Sequence, residues 1–428
     1  IHNSRYETGT IEYVADASIQ APFAGETSSD SDGLWNLTFQ GIANGTIIKL
    51  SVEKAGYEVV NTYDLERVVL GQKSRLPIYI TTKGRLAQAQ TELYNISKAS
   101  LYARKNAIIA RLQGERAESE AALAELSTDL GQKISSIGEA MELLDSKMAE
   151  LEKRLPKFAQ ELAARNLDFA SNLYIEAYEQ FQAGDLEGAI VILDDAKLEQ
   201  SYREALATIA ESEKFAETAA DLQEKGQLQI DQIIKSYQLK VESHNIRFNY
   251  RKAAEAQRKI VKILEANTEE ETLELADAYG TLGRILQDFG SYSEALTAKI
   301  KNTQIKERLL SRHNLDLANS YNNLALSYRD LGNYQAALDI QKKDLVIIEQ
   351  ILESFHPRVA TSYNNLALIY TDLGDYKAAL DAQKKGITIN EQVFETNHPS
   401  LATSYNNLAL IYQALGNYEA ALDAQQKA

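Results

Sequence analysis

The chain has 428 residues, 44% hydrophobic and 25% charged, with five prolines and no cysteine, which excludes a disordered tail, disulfides and any thiolate nucleophile or thiolate metal site. Its formal net charge of -16 argues against general binding to nucleic acid or to an anionic membrane face, both of which reward basic patches. No stretch approaches the roughly 18 consecutive apolar residues of a membrane-spanning helix, and the start at Ile1 rather than Met suggests a processed or incomplete N-terminus, a removed signal peptide being one such case.

Residues 1–83 read as β structure. Short, partly alternating segments at Glu12-Tyr13-Val14, Ala17-Ser18-Ile19, Leu34 to Phe39, Ile47 to Val52, Tyr57 to Val60 and Pro77 to Ile80 predict strands. Turns are expected at Asp30-Ser31-Asp32-Gly33, Asn44-Gly45 and Ala55-Gly56, and such regular punctuation predicts a small antiparallel sandwich. The run Ser31-Asp32-Gly33-Leu34-Trp35-Asn36-Leu37, then Gly45-Thr46 and Lys54-Ala55-Gly56-Tyr57, resembles the carboxypeptidase regulatory-like domain, a transthyretin-type β-sandwich of secreted bacterial proteins. The resemblance implies a secreted or cell-envelope setting in a bacterium, with a cytoplasmic one as the alternative. Gly9-Thr10-Ile11 runs almost directly into Ala15 to Ile19, which departs from that family's pattern and predicts an open sheet edge.

From Gly84 the hydrophobic period changes to that of helix. Leu123, Leu126, Leu130, Ile134, Ile137, Met141, Leu144, Met148, Leu151 and Leu155 follow spacings of three and four, a seam that is unbroken from Leu130. Pro156 is expected to end that helix or start the next. With Gly114, Gly131 and Gly138 embedded, residues 84–164 read as a long helical hairpin or coiled-coil spacer, with the hairpin favoured by the helix cost of glycine. Residues 165–228, entered through Asn166-Leu167-Asp168, hold one further helix pair at Leu173, Ala177, Gly184, Leu186, Ala189 and Ile190, then a helix across about 200–225.

Residues 229–428 repeat every 42 residues. Tyr237, Tyr279, Tyr321, Tyr363 and Tyr405 form one ladder, and Tyr250, Tyr292, Tyr334, Tyr376 and Tyr418 a second; both are expected in the core. In one unit Tyr363, Leu366, Ala367 and Tyr370 share a face of a first helix, A, and Gly374 supplies a left-handed turn into a second helix, B, beginning at Tyr376. His356-Pro357 and His398-Pro399 mark the gaps between units. Phe248 stands where the first unit would have its turn glycine. The elements Ser-Tyr-Asn-Asn-Leu-Ala, Leu-Gly-x-Tyr and Ala-Leu resemble tetratricopeptide repeats of the 42-residue, kinesin-light-chain-like kind.

That resemblance implies a right-handed α-solenoid of five units, the last incomplete, whose concave side is lined by the A helices and takes peptides or partner helices. It places Asn322, Asn364 and Asn406 on that side, with Leu326, Leu368 and Leu410 four residues on, and Arg284, Gln287, Arg329, Thr371 and Gln413 beside them. Asparagine offers donor and acceptor to a peptide backbone, whereas the neighbouring Asn323, Asn365 and Asn407 are expected to join adjacent helices. The fold expected is therefore mainly α with a small N-terminal all-β sandwich.

No catalytic, cofactor or metal site is expected. His2, His244, His313, His356 and His398 lack metal-ligand spacing, Gly71-Gln72-Lys73-Ser74 lacks the upstream glycine of a phosphate loop, and Asp30 and Asp32 lack the later ligands of a calcium loop. Three functions follow as expectations: a non-enzymatic scaffold binding a protein partner in the repeat groove; a self-assembling filament subunit, a homo-oligomer using the open sheet edge and Tyr418 and Leu422; or the sensory part of a longer protein.

Overall fold

The computed structural model describes residues 2–3, 14–22, 24–39, 47–62, 65, 68–69, 78–164, 170–212, 219–267, 271–395 and 398–428. The chain is mainly helical and divides into two compact units, Ile1–Ala256 and Gln257–Ala428. The segments Gly9 to Tyr13, Asn44-Gly45, Gly71 to Ser74, Pro77 and Asn166 to Asp168, each singled out above, lie outside the described residues.

Unit 1 opens with small β elements: β1 (His2–Asn3), β2 (Ser18–Ala21), β3 (Gly25–Ser28), β4 (Ile47–Ile48), β5 (Ser51–Glu53), β6 (Tyr57–Val59), β7 (Val68–Val69) and β8 (Tyr79–Thr82). They form three sheets ordered β1-β8-β6, β3-β2-β5 and β4-β7, antiparallel except for β1 with β8. Ala17, Ile19, Ile48, Leu50, Leu65, Ile78 and Ile80 bury one shared core. Two strand expectations are corrected. The stretch Ile47 to Val52 is two strands, because the chain changes sheet at Leu50, whose N–H donates to Leu65 O at 2.8 Å. Leu34 to Phe39 forms no strand; Asp30 Oδ1 ties down the amides of Asp32 (3.0 Å) and Leu34 (2.8 Å), and Trp35, Leu37 and Phe39 pack on the core, with no ladder partner among the described residues.

After β8 come α1 (Arg85–Leu112), α2 (Arg116–Leu130) and α3 (Ile137–Ala163). Gly84, left-handed at φ 92°, has no side chain to cap α1, and Glu58 of β6 does so instead, accepting from Gly84 N (2.8 Å) and Leu86 N (3.2 Å). Helices α1 and α3 pack as a hairpin, α1 burying Leu93, Leu101, Ile108 and Leu112 and α3 burying Leu144, Met148, Leu151, Leu155 and Leu162. The unbroken seam from Leu130 is corrected. Helix α2 stops at Leu130 with Gly131 left-handed (φ 69°), and α3 restarts after Ser136, whose Oγ accepts from Glu139 N at 3.2 Å, leaving Ile137 39% exposed. Pro156 neither ends nor starts a helix: α3 runs through it. An interior proline costs about 3 kcal/mol, but burying Phe158 and Leu162 beyond it returns about 1.5–3 kcal/mol each.

Next are α4 (Asn172–Gln182), α5 (Leu186–Ile192), α6 (Asp195–Ser212) and α7 (Ala219–Ile246), the last running without a break across 228–229. In α7, Lys240 Nζ donates to Leu193 O (2.8 Å) and pairs with Asp195 (2.7 Å), which satisfies a buried ammonium. Burial, with Lys240 nearby, pushes the pKa of His244 down to about 3, so it stays neutral.

Helix α8 (Tyr250–Asn267) starts in unit 1 and ends in unit 2, which continues with α9 (Leu273–Asp288), α10 (Tyr292–Leu309), α11 (Leu315–Asp330), α12 (Tyr334–Ile351), α13 (Pro357–Asp372), α14 (Tyr376–Val393), α15 (Pro399–Ala414) and α16 (Tyr418–Lys427). The odd-numbered helices are A helices and the even-numbered are B helices. Each A–B turn places Gly290, Gly332, Gly374 or Gly416 in the left-handed region, at φ 82°, 74°, 78° and 74°. The residue after each glycine donates back five residues, as Asp375 N does to Tyr370 O at 2.9 Å. Phe248 occupies the same turn at φ 60° and is fully buried, and Asn249 N donates to His244 O at 2.9 Å. An L side chain there costs about 1–2 kcal/mol, which burial of the ring offsets.

Gly374 has open space around the position of a Cβ, so Gly374→Ala tests the backbone conformation alone. Thermal or urea unfolding of unit 2 should show a loss of about 1–2 kcal/mol, with the far-ultraviolet circular dichroism of the native state unchanged.

Candidate partner-binding face

In unit 2 the A helices start from caps that the sequence supplies locally. Thr272 Oγ1 accepts from Leu275 N (3.1 Å), Asn314 Oδ1 from Asp316 N (2.7 Å), and His356 and His398 accept through Nδ1 from Arg358 N and Ser400 N (3.1 Å each). These two histidines are therefore helix caps, each followed by proline in the first turn. Among the described residues no group of three or more His, Asp or Glu side chains could hold a metal ion.

The A helix α13 contacts both its A-helix neighbours, α11 and α15. Side chains 43 residues apart tie successive A helices together: Gln287 Nε2 to Asp330 Oδ2 (2.8 Å), Arg329 Nε to Asp372 Oδ2 (2.5 Å), and Asn365 Nδ2 to Asn322 Oδ1 (2.8 Å). Asn364 is half-buried, donating to Ser404 Oγ (3.0 Å) and accepting from Gln383 Nε2 (2.9 Å). Gly386 leaves room for it, since a Cβ there would lie 2.5 Å from Asn364 Oδ1. Asn406 is exposed and accepts from Gln425 Nε2 (2.8 Å). The amides of Asn322, Asn364 and Asn406 thus all join helices, as does Asn365, while Asn323 lies exposed and Asn407 half-buried.

The leucine row is different. Leu326 and Leu368 are half-buried and Leu410 is 61% exposed, all on the A-helix face. Arg284 contacts Asp288 at 3.4 Å, Thr371 Oγ1 donates to Ala367 O at 2.8 Å, and Gln413 is exposed. Tyr418 and Leu422 on α16 are 72% and 60% exposed; their counterparts one unit earlier, Tyr376 and Leu380, are half-buried because the following unit covers them.

The polar interior varies from unit to unit. Lys299 stands where the later B helices have Gln341, Gln383 and Gln425, and its Nζ bonds Gln287 Oε1 and Ser327 Oγ. Gly283 accommodates it, because a Cβ would lie 2.7 Å from Lys299 Cγ. One unit on, the buried Asp344 accepts from Ser362 (2.6 Å), Gln341 (2.9 Å) and Arg358 (3.3 Å), and Arg358 also bonds Asn319. Burial holds the Asp344 carboxyl above its ordinary range and draws Lys299 below its own.

The first tyrosine ladder carries a contact that the reading of tyrosine as plain core misses. Tyr321, Tyr363 and Tyr405 donate to Glu307, Glu349 and Glu391 at 2.6, 2.5 and 2.5 Å, and Tyr279 donates to Glu265. Each glutamate lies 14 residues earlier, near the end of the preceding B helix. Lys343, Lys385 and Lys427 sit over the rings of Tyr321, Tyr363 and Tyr405 at 5.2, 5.3 and 5.5 Å. Glutamates recurring at 265, 307, 349 and 391 were the available signal. The second ladder is not uniformly core: it opens the B helices, and although Tyr250 is fully buried, Tyr292 is 47% and Tyr418 72% exposed.

Residues 316–392 and 358–428 match the tetratricopeptide repeat family, and this part of the chain consists of such repeats. No curated protein matches the chain. Among solved structures it is similar to BtubC (BKLC) from P. vanneervenii, at 18% identity over 54% of this chain and 89% of that one, with a TM-score of 0.42. It is also similar to the nearly identical TPR-like repeats of a Podosopora anserina protein described as a kinesin light chain, at 23% identity over 45% of this chain and 92% of that one, TM-score 0.42. MamA from Desulfovibrio magneticus RS-1 is 14% identical over 45% of this chain and 92% of its own, TM-score 0.35.

Burial, then the hydrogen bond to glutamate, pushes the phenols of Tyr279, Tyr363 and Tyr405 up to about 12. A raised folded pKa means that their contribution to stability is complete below the ordinary value near 10 and fades as pH rises through about 12. Tyrosinate absorbance at 295 nm should show a late-titrating class to which these three contribute, and replacing them by phenylalanine should reduce its amplitude; a loss confined to the class titrating near 10 would mean that the three phenols are free.

Proposed function

We propose that the chain is a non-catalytic interaction scaffold that receives a protein partner on the A-helix face of unit 2. One observation carries the reading: on that face the polar side chains are largely committed to one another, whereas Leu326, Leu368 and Leu410 recur every 42 residues at least partly exposed. A column of apolar contacts one repeat apart suits a partner segment that offers apolar side chains at regular intervals. Exposed Asn323 and Gln413 and half-buried Asn407 supply amides for its backbone. With the charges internally paired, affinity should depend little on salt. The tyrosine hydroxyls hold neighbouring units in register, which leaves them to structure rather than chemistry. The N-terminal resemblance to secreted sandwich domains supports an extracytoplasmic setting for this scaffold.

The test is capture of the partner from the source cell by the immobilised chain, compared with Leu368→Arg, Leu410→Arg and a B-helix control, Val346→Arg, which is 53% exposed on α12. The groove variants should reduce capture by about ten-fold, equivalent to the loss of one good apolar anchor, while Val346→Arg leaves it intact. Equal capture by all four proteins would rule out this face.

A further inference from the structure

Unit 1 contains a feature that the scaffold reading does not use. An open cleft of about 420 Å³ lies between the end of α2, contributing Glu125 and Asp129, and the start of α8, contributing Asn249, Arg251 and Lys252. Both walls carry charge of the unfavoured sign for their helix. Asp129 is the penultimate residue of α2, where the helix dipole opposes an anion, and Arg251 and Lys252 lie in the first turn of α8, where it opposes cations.

Asp129 is only 9% exposed, yet no hydrogen bond or ion pair reaches its carboxylate among the described residues. Burial and then the neighbouring Glu125 push its pKa up, while Arg104, Arg251 and Lys252 act at longer range in the opposite sense. Glu125 is not available in the same way, since Arg111 and Arg104 hold it at 2.6 and 3.2 Å. On the other wall the Lys252 ammonium has no ion pair among the described residues, and Arg251 has only an exposed contact with Glu255 at 3.5 Å, the kind worth little. Asn249 caps α8 through Oδ1, accepting from Lys252 N at 3.2 Å, which leaves its Nδ2 donors.

A nearly buried acid without a partner weakens the fold, whereas Arg251 and Lys252 opposite it are exposed and free to meet a ligand; a buried unpaired acid facing such bases across an open cleft is a candidate binding site. We propose that this cleft binds a small zwitterion the size of an amino acid or dipeptide, its ammonium on Asp129 and its carboxylate on Lys252, Arg251 and the Asn249 amide. A ligand carrying only one of the two charges would satisfy one wall and leave the other as it is.

Isothermal titration of the intact chain with L-alanyl-L-alanine tests this against N-acetyl-alanyl-alanine, which lacks the ammonium, and alanyl-alanine amide, which lacks the carboxylate. The dipeptide should saturate a single site, with each blocked peptide at least about ten-fold weaker, as expected for loss of one charge-assisted contact. Asp129→Asn should weaken the dipeptide and erase its advantage over the acetylated form. Lys252→Met should weaken it and reduce its advantage over the amide. Asp129→Asn should also leave the melting temperature unchanged or raised, because it removes an uncompensated charge. Equal binding of blocked and free peptides, no saturable binding up to about 20 mM, a concentration that would detect even millimolar affinity, or a lowered melting temperature in Asp129→Asn would each overturn the assignment.

Discussion

The constraint on which unit 2 depends is the left-handed turn that closes each helix pair. A helix of 16 residues followed by one of 18 can fold back only if the chain reverses in a few residues, and the reversal used here requires positive φ at one position. Glycine at 290, 332, 374 and 416 provides it without a steric cost. Once the turn is fixed, the tyrosine of each A helix and the glutamate 14 residues before it meet across the gap between units. The lysines over the rings then cover the opposite side of the same side chain. The pitch of the array thus follows from a local backbone preference and is locked by contacts between nearest neighbours.

The repeat was legible in the sequence because its period is exact in the residues that fold it. The helix pairs, their turns and the A-helix leucines could be read directly from the 42-residue spacing. The helical spacer was less legible, for an identifiable reason. A run of apolar residues at spacings of three and four suggests continuity, but Gly131 and the capping pair Ser136 and Glu139 interrupt it. Those three residues were the stronger local signal. Pro156 misled in the opposite direction: the apolar face on both sides of it outweighs the missing hydrogen bond.

The candidate face was readable by position and not by role. Asn364 lies on the A helix, but its amide is taken up by Gln383 and Ser404, neither of which is near it in sequence. Hydrogen-bond commitments between elements 19 and 40 residues apart leave no trace in a helical pattern. The leucine row was legible in position alone, since its exposure differs from unit to unit: Leu326 and Leu368 are half-buried and Leu410 is exposed. The N-terminal strands were the least readable, since short segments that change sheet, as at Leu50, break the alternation on which strand recognition rests.

Near-identical repeats raise the question of what fixes their order, because an A helix could dock on the wrong B helix with almost the same apolar surface. The polar interior answers it. Asp344 meets Arg358, Lys299 meets the space left by Gly283, and Asn364 meets the space left by Gly386. A slipped pairing would bury Asp344 without its arginine or press Lys299 against a methyl group, and a stranded buried charge costs several kcal/mol. The units are therefore alike in shape and keyed individually, so that each interface recognises its own neighbour during folding.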